Sequence, residues 1–401
     1  MRLYNVHTLS EAEAVMKNNF TFETEVVSIN QALNRVLAED VKTEIQVPSF
    51  RRSTVDGYAV LASDLSGASE TMPMLLDLIG SVEMGVLSGL SVSEGQTMYV
   101  PTGGMVPDGA DAMVMIEYTE KMAENTVAIL ATAAPLQNII SKGADVEKGD
   151  TILKKHQLLR PRHIGSLAAT GVFEVVVYKQ LTATVISTGD ELITTDQPLE
   201  TGQVYDINTY TLTGKLNQFG IEVIKQEVLK DIRQEIKEAV RKGNETSDIT
   251  IISGGSSVGE KDYTADIIDE LSQDDGVLIH GLAVKPGKPT IVGKVNNKMV
   301  LGLPGHPVSA MVVLDQLLRM YFSLQRDTSP FSIQGILSQN VHAAPGRETF
   351  IMVKVIDGEI VPVHGKSGMI TMMSKADGYI RIPKDTEGIA SGSQVTAYLF
   401  E

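Results

Sequence analysis

The sequence predicts a multidomain α/β plus β protein, in which a three-layer α/β domain with a parallel-rich sheet is accompanied by mostly β modules. Three observations carry this reading. Residues from about 181 to 325 alternate strand-like apolar runs with helix-period runs. The stretches from about 23 to 180 and beyond about 328 break into short β-like runs cut by Gly and Pro. A chain of 401 residues also exceeds what one hydrophobic core usually organises.

Taken in order, TLSEAEAVMK at 8–17 opens on a capping Thr or Ser before an acidic, alanine-containing run, which predicts a helix. From about 23 to 180, segments such as TMYVPTGGMVPDGADAMVMIEY predict one or two β modules. LTATVIS then predicts a buried strand, INTYTLTGKLNQF a helix, IEVIKQEVL a strand, DIRQEIKEAVRKG a helix and DITIIS a strand. YTADIIDELSQ, TIVGKV, MVLGLP and VSAMVVLDQLLRMYF continue the alternation, which implies parallel strands joined by right-handed crossovers. ETFIMVKVIDGEIVPV and YIRIP lack a long helical period, so a small C-terminal β domain is expected.

Composition narrows the function classes. The chain has 34 Lys and Arg against 50 Asp and Glu, a formal charge of −16. That argues against nucleic-acid binding and requires any anionic substrate to meet a local cationic site. No cysteine is present, which excludes disulfides, thiolate nucleophiles and cysteine-ligated zinc or iron–sulfur centres. The opening MRLYNVHTLSEAEAVMKNNF lacks a signal-peptide core and no window approaches a membrane span, so a cytoplasmic, non-membrane protein is expected.

Ligands of such α/β domains bind beyond the carboxyl ends of the parallel strands. Three loops there stand out: TGDEL, GGSSVGEKD and PGHPVSA. Gly254 and Gly255 let main-chain N–H groups approach an oxygen-rich ligand, Ser256 and Ser257 add hydroxyls, and a downstream helix N-terminus adds partial positive charge. The pattern is neither a Walker A loop nor G-x-G-x-x-G, so a phosphate cradle and a tight turn of small residues both account for it. Asp190 with Glu191, and Glu260 with Asp262, place carboxylates that suit Mg²⁺ on phosphate oxygens or simply helix N-termini. Two such pairs on neighbouring strand ends favour the metal.

VKPGKPT presents Lys285 and Lys288 from a stiff turn, either as the missing local cations or as solvated surface lysines. Pro307 suits a first helical turn, with His306 and Ser309 beside it. Asp56 and Gly57 in STVDGYAV satisfy turn chemistry. Thr102 lies in a Gly- and Pro-rich loop, and Arg347, Lys366 and Ser367 are available anion contacts. The other histidines are scattered without metal-ligand spacing.

STVDGYA, PTGG, PDGADA, STGDEL, SGGSSVGE, KPGKP and GLPGHPVSA, in this order along the whole chain, resemble the molybdopterin molybdenumtransferase family, and the chain is similar also to the C-terminal domain of gephyrin. The resemblance implies an elongated homodimer of four-domain subunits. Residues 1–22 plus 179–326 would form the α/β molybdopterin-binding domain, 23–45 plus 146–178 a β linking domain, 46–145 an inserted β-containing domain and 327–401 a C-terminal β domain. It implies a reaction in which adenylylated molybdopterin and molybdate give molybdenum cofactor and AMP, with Mg²⁺ assisting, and molybdopterin adenylyltransferase as a further partner.

Carried over by position, the resemblance implies a catalytic set of Asp56, Thr102, Asp145, Glu191, Asp231 and Asp262. Glu191 and Asp262 would hold the metal, with Asp231 nearby. Gly254, Gly255, Ser256 and Ser257 would form the cradle, Lys285 and Lys288 the oxyanion and phosphate contacts, Pro304 and Pro307 the loop beside them, and Arg347 and Ser367 the molybdate contacts. Asp56, Thr102 and Asp145 would face the α/β domain of the partner subunit. Val55, Ser256 and His306 depart from the Met, Val and Asn common in relatives. The alternatives are a molybdopterin adenylyltransferase, which is typically the α/β domain alone, and a non-catalytic scaffold.

Overall fold

The computed structural model describes residues 6–87, 89–254, 263–273, 276–326, 328–365, 368–369 and 371–400. The chain divides into two compact units. One comprises Met1–Glu25, Asn34–Val36 and Tyr178–Glu401, the other Val26–Leu33 and Leu37–Val177.

In the first unit, helix α1 (Leu9–Asn19) starts as its sequence predicts: the Thr8 hydroxyl accepts the Glu11 N–H and the Glu11 carboxylate accepts the Thr8 N–H. Such a reciprocal cap contributes about 1 kcal/mol. Six strands follow: β1 (Thr182–Thr188), β2 (Glu222–Leu229), β3 (Ile249–Ser253), β4 (Gly276–His280), β5 (Ile291–Val295) and β6 (Lys298–Leu303). They form one sheet in the order β2-β1-β3-β6-β5-β4.

The pairs β1–β2, β1–β3 and β3–β6 are parallel, whereas β6–β5 and β5–β4 are antiparallel. The expected parallel sheet is therefore a four-stranded parallel core with an antiparallel edge. The cause is local. Asn296 and Asn297 both take positive φ, 51° and 63°, the conformation of a two-residue hairpin, so β6 doubles back on β5 without a crossover.

Alternate residues of the central strands face opposite helical layers. Val185, Ile251 and Leu301 pack in a core with α1, α3 (Asn208–Gln218) and α6 (Pro307–Phe322). Ile186, Ile252 and Val300 pack instead against α4 (Arg233–Thr246) and α5 (Tyr263–Leu271). Helix α6 is apolar almost all round because Phe350, Met352 and Tyr379 of the C-terminal β domain close over its other side.

That domain is a six-stranded sheet with its own core of Leu337, Val353, Ile360 and Ile380, and it borrows the short strand Val284–Lys285 as an edge. A buried ion cluster ties these layers together. Lys215 on α3 and Asp315 on α6 are 6% and 1% exposed and meet at 3.1 Å, while Arg319 Nε reaches the other Asp315 oxygen at 2.7 Å. Gln316 Nε2 donates to Tyr379 Oη at 2.8 Å. Burial pushes the Tyr379 phenol up to about 12.

The second unit holds another six-stranded sheet, ordered Ala112–Met115, Gly57–Val60, Gln96–Val100, Met74–Ser81, Thr126–Ile129, Thr119–Ala123. Its two faces carry separate apolar clusters, around Tyr58, Val60 and Val114 and around Ala59, Met98 and Met113. A helix the sequence reading did not anticipate, α2 (Pro161–Ala169), begins on a proline and buries Leu167 against Val27, Leu37 and Val177.

Candidate functional site

The carboxyl ends of β1, β3 and β6 lie side by side, with Ser187 in register with Ser253 and Ser253 with Leu303. Gly254 leaves β3 at φ +107°, and a Cβ there would stand 2.2 Å from the Thr188 carbonyl oxygen. Only glycine allows the chain to turn so close to its neighbour. Its Cα lies 3.6 Å from the Cβ position of Gly305, so the loops after β3 and β6 touch. Pro304 is buried, and Pro307 occupies the first turn of α6, as expected.

The TGDEL loop is tied to the segment that follows β2. Lys230 Nζ donates to the carbonyls of Asp190 (2.7 Å) and Leu192 (3.1 Å), and the Asp231 N–H donates to Asp190 Oδ1 at 3.1 Å. A side chain at Gly189 would meet the Glu191 carboxylate at 2.9 Å, which places that carboxylate over the end of β1. Asp231 Oδ1 is inaccessible to solvent and has no hydrogen-bond partner. An unpaired carboxylate oxygen on the residue whose N–H holds Asp190 suits a hard cation in kind. Among the described residues no group of three or more His, Asp or Glu side chains comes together, and Asp262 lies outside them.

A cavity of about 850 Å³ opens between the α/β domain and the C-terminal domain, lined among others by Lys285, Lys288, Pro304, His306, Ser309 and Arg347. Non-local pairing builds it: Val284 and Lys285 run parallel to Glu348 and Thr349, which brings Lys285 beside the segment that carries Arg347. The Lys285–Lys288 turn is stiff, with Thr290 Oγ1 donating to the Gly287 carbonyl at 2.7 Å. At Gly287, φ +117°, a Cβ would strike Val313 at 2.2 Å. Phe350, Met352, Met369 and Met372 form the apolar part of the wall. Three cations on one cavity are what a chain of −16 needs to hold an oxyanion.

In the second unit the Thr102 N–H donates to Asp56 Oδ1 at 2.9 Å, so two residues far apart in sequence share one spot. That N–H holds the Asp56 carboxyl below its usual range. Asp145 is exposed on a turn whose backbone is held by the Val47 carbonyl at 3.0 Å. Gly255, Ser256, Ser257, Glu260, Asp262, Lys366 and Ser367 lie outside the described residues.

Sequence reasoning missed three residues at the strand ends. Asn208 Nδ2 donates to Ser253 Oγ and to the Gly305 carbonyl, both at 2.8 Å, bridging two of the three loops. Asp206 Oδ1 accepts the Thr209 N–H at 3.3 Å, and the Thr188 hydroxyl lies 2.8 Å from the Cβ position of Gly254. The available signal was VYDIN, an Asp-x-Asn at the start of a helix, which reads as ordinary capping.

Fold and site together define a multidomain α/β plus β protein with a cation-lined cavity between its α/β and C-terminal domains. Three family models match in succession: "MoeA N-terminal region (domain I and II)" over residues 7–171, "Probable molybdopterin binding domain" over 184–323 and "MoeA C-terminal region (domain IV)" over 334–400. The chain belongs to the MoeA family. The molybdopterin molybdenumtransferase of Haemophilus influenzae is 36% identical, the match covering 86% of this chain and 84% of that protein. That of Staphylococcus aureus strain COL is 30% identical over 94% and 91%. The crystal structure of a molybdopterin biosynthesis MoeA protein from Pyrococcus horikosii, 36% identical, superposes with a TM-score of 0.86 over 99% of this chain and all of that one. Among the described residues no helix is long and apolar enough to cross a membrane.

Proposed function

We propose that this chain is a molybdopterin molybdenumtransferase: it inserts molybdenum from molybdate into adenylylated molybdopterin, releasing AMP, in molybdenum cofactor biosynthesis. The observation that carries the reading is the gathering of Lys285, Lys288 and Arg347 around one cavity of a strongly acidic chain. A tetrahedral oxyanion is held there by charge-assisted hydrogen bonds, with Ser367 as a further contact and Pro304 and Pro307 keeping the wall stiff. Gly254, Gly255, Ser256 and Ser257 offer main-chain and hydroxyl donors to the phosphates.

Glu191 and Asp262 would hold Mg²⁺, with Asp231 beside them; when bound, the ion offsets charge on phosphate oxygens as the pyrophosphate link is cleaved. Asp56, Thr102 and Asp145 belong to this reading as residues of a homodimer, each set serving the partner's α/β domain. Molybdopterin adenylyltransferase would supply the substrate, and the compartment would be the cytoplasm.

The test is AMP release from adenylylated molybdopterin by purified protein with Mg²⁺, with and without molybdate, alongside an assay of active cofactor. Molybdate-dependent AMP release coupled to cofactor formation supports the proposal. Formation of adenylylated molybdopterin from ATP and molybdopterin would make the chain an adenylyltransferase instead, and absence of both reactions would leave a scaffold. Sedimentation of the purified chain as a monomer at micromolar concentration would remove the dimer from the proposal.

A further inference from the structure

Thr188, Asp206 and Asn208 are 5%, 3% and 7% exposed, and each carries a buried oxygen with no hydrogen-bond partner: Thr188 Oγ1, Asp206 Oδ2 and Asn208 Oδ1. Buried polar atoms are normally paired, and an orphan is costly. They lie at the end of β1 and the start of α3: Thr188 and Asn208 stand against the touching Gly254 and Gly305 loops, and Asp206 caps Thr209, whose hydroxyl meets Ser187 Oγ of β1 at 3.0 Å.

Their hydrogen-bonding sense follows from chemistry. Gly305 offers Asn208 a carbonyl, which only accepts, so the amide NH₂ must face it and Oδ1 is left as the acceptor. Asp206 Oδ1 is taken by the Thr209 N–H, leaving Oδ2 as a second acceptor. Thr188 contributes a hydroxyl able to accept or donate. The cluster thus seeks N–H or O–H donors. Its carboxylate repels phosphate, so it is no part of a phosphate cradle, and the cavity cations Lys285, Lys288 and Arg347 serve the opposite charge.

We propose that Thr188, Asp206 and Asn208 form an acceptor-lined floor that recognises the hydrogen-bond-donor edge of the bound substrate, either the amino and ring N–H groups of its pterin or the amine and hydroxyls of its nucleotide. This rests on the functional reading above and adds the residues that choose the organic part of the ligand. Asn208 also acts as a positioning residue, because its amide bridges Ser253 and Gly305.

Titration calorimetry on the full chain tests it, with AMP and 6-hydroxymethylpterin as separate probes and molybdate as the control. The wild type is expected to bind at least one organic probe, and the one bound names the donor edge. Asp206→Asn should weaken that probe by about ten- to hundredfold while molybdate binding and thermal midpoint stay unchanged. Wild-type affinity retained in Asp206→Asn, or no binding of either probe to the wild type, overturns the proposal. Should Asp206→Asn fail to fold, Thr188→Val decides: a loss of about three- to tenfold supports the floor, and no loss overturns it. Molybdenum insertion without Asp206 dependence would overturn this inference alone, whereas Asp206-dependent probe binding without insertion would overturn only the functional reading.

Discussion

The strand-end cluster and the Lys285–Arg347 cavity belong to the same unit and differ in sign, burial and origin. The first is acceptor-rich, almost fully buried and built from the end of β1 and the start of α3: Thr188, Asp206 and Asn208. The second is cationic, open and assembled only because a strand of the α/β region pairs with the C-terminal sheet. An acidic chain gathers cations most readily where two domains each contribute part of a wall, since neither then carries a cationic cluster alone.

The largest effect should come from breaking both regions at once. Lys215 and Asp315 join α3, whose start bears Asn208, to α6, whose start borders the cavity. Asp315→Ala leaves Lys215 buried and unpaired, an expected loss of about 3–5 kcal/mol. Denaturant unfolding should show it, and calorimetry should show molybdate and AMP or pterin affinity falling together.

Separating the regions is the next test. Lys285→Ala should weaken molybdate binding about tenfold through loss of one charge-assisted contact, with the organic probes unaffected. Unchanged molybdate affinity would show Lys285 to be a solvated surface residue.

A smaller effect concerns the second unit. The Thr102 N–H depresses the Asp56 carboxyl pKa, so its contribution to stability is present above the unfolded carboxyl value, near pH 3.9, and is lost as pH falls through the lower folded value. Asp56→Asn should therefore be less stable than wild type at pH 6, with the gap closing below about pH 4. Urea titrations across that range check the sign.

What was readable in the sequence was whatever short-range chemistry decides. Thr8 with Glu11, the apolar runs of β1, β3 and β6, and Pro307 at a helix start all act over a few residues. The antiparallel edge was written in Asn296–Asn297, but strand–helix alternation pointed to parallel neighbours. Helix α2 escaped notice because it is short, contains Gly165 and lies amid Gly- and Pro-punctuated β runs. The cavity needed the pairing of Lys285 with Thr349, a long-range event that residue type does not encode. Asp206 and Asn208 were hidden by ambiguity of another kind: an Asp or Asn at the start of a helix is ordinary capping until its second oxygen proves to be buried and idle.

The ion cluster of Lys215, Asp315 and Arg319 has a consequence for how the molecule breathes. Helices that share a buried carboxylate cannot open one at a time without stranding a charge, so α3 and α6 should exchange their amide protons as one cooperative block. A ligand seated at either region then slows exchange along both helices, and molybdate alone should protect amides near Asn208 that it never touches.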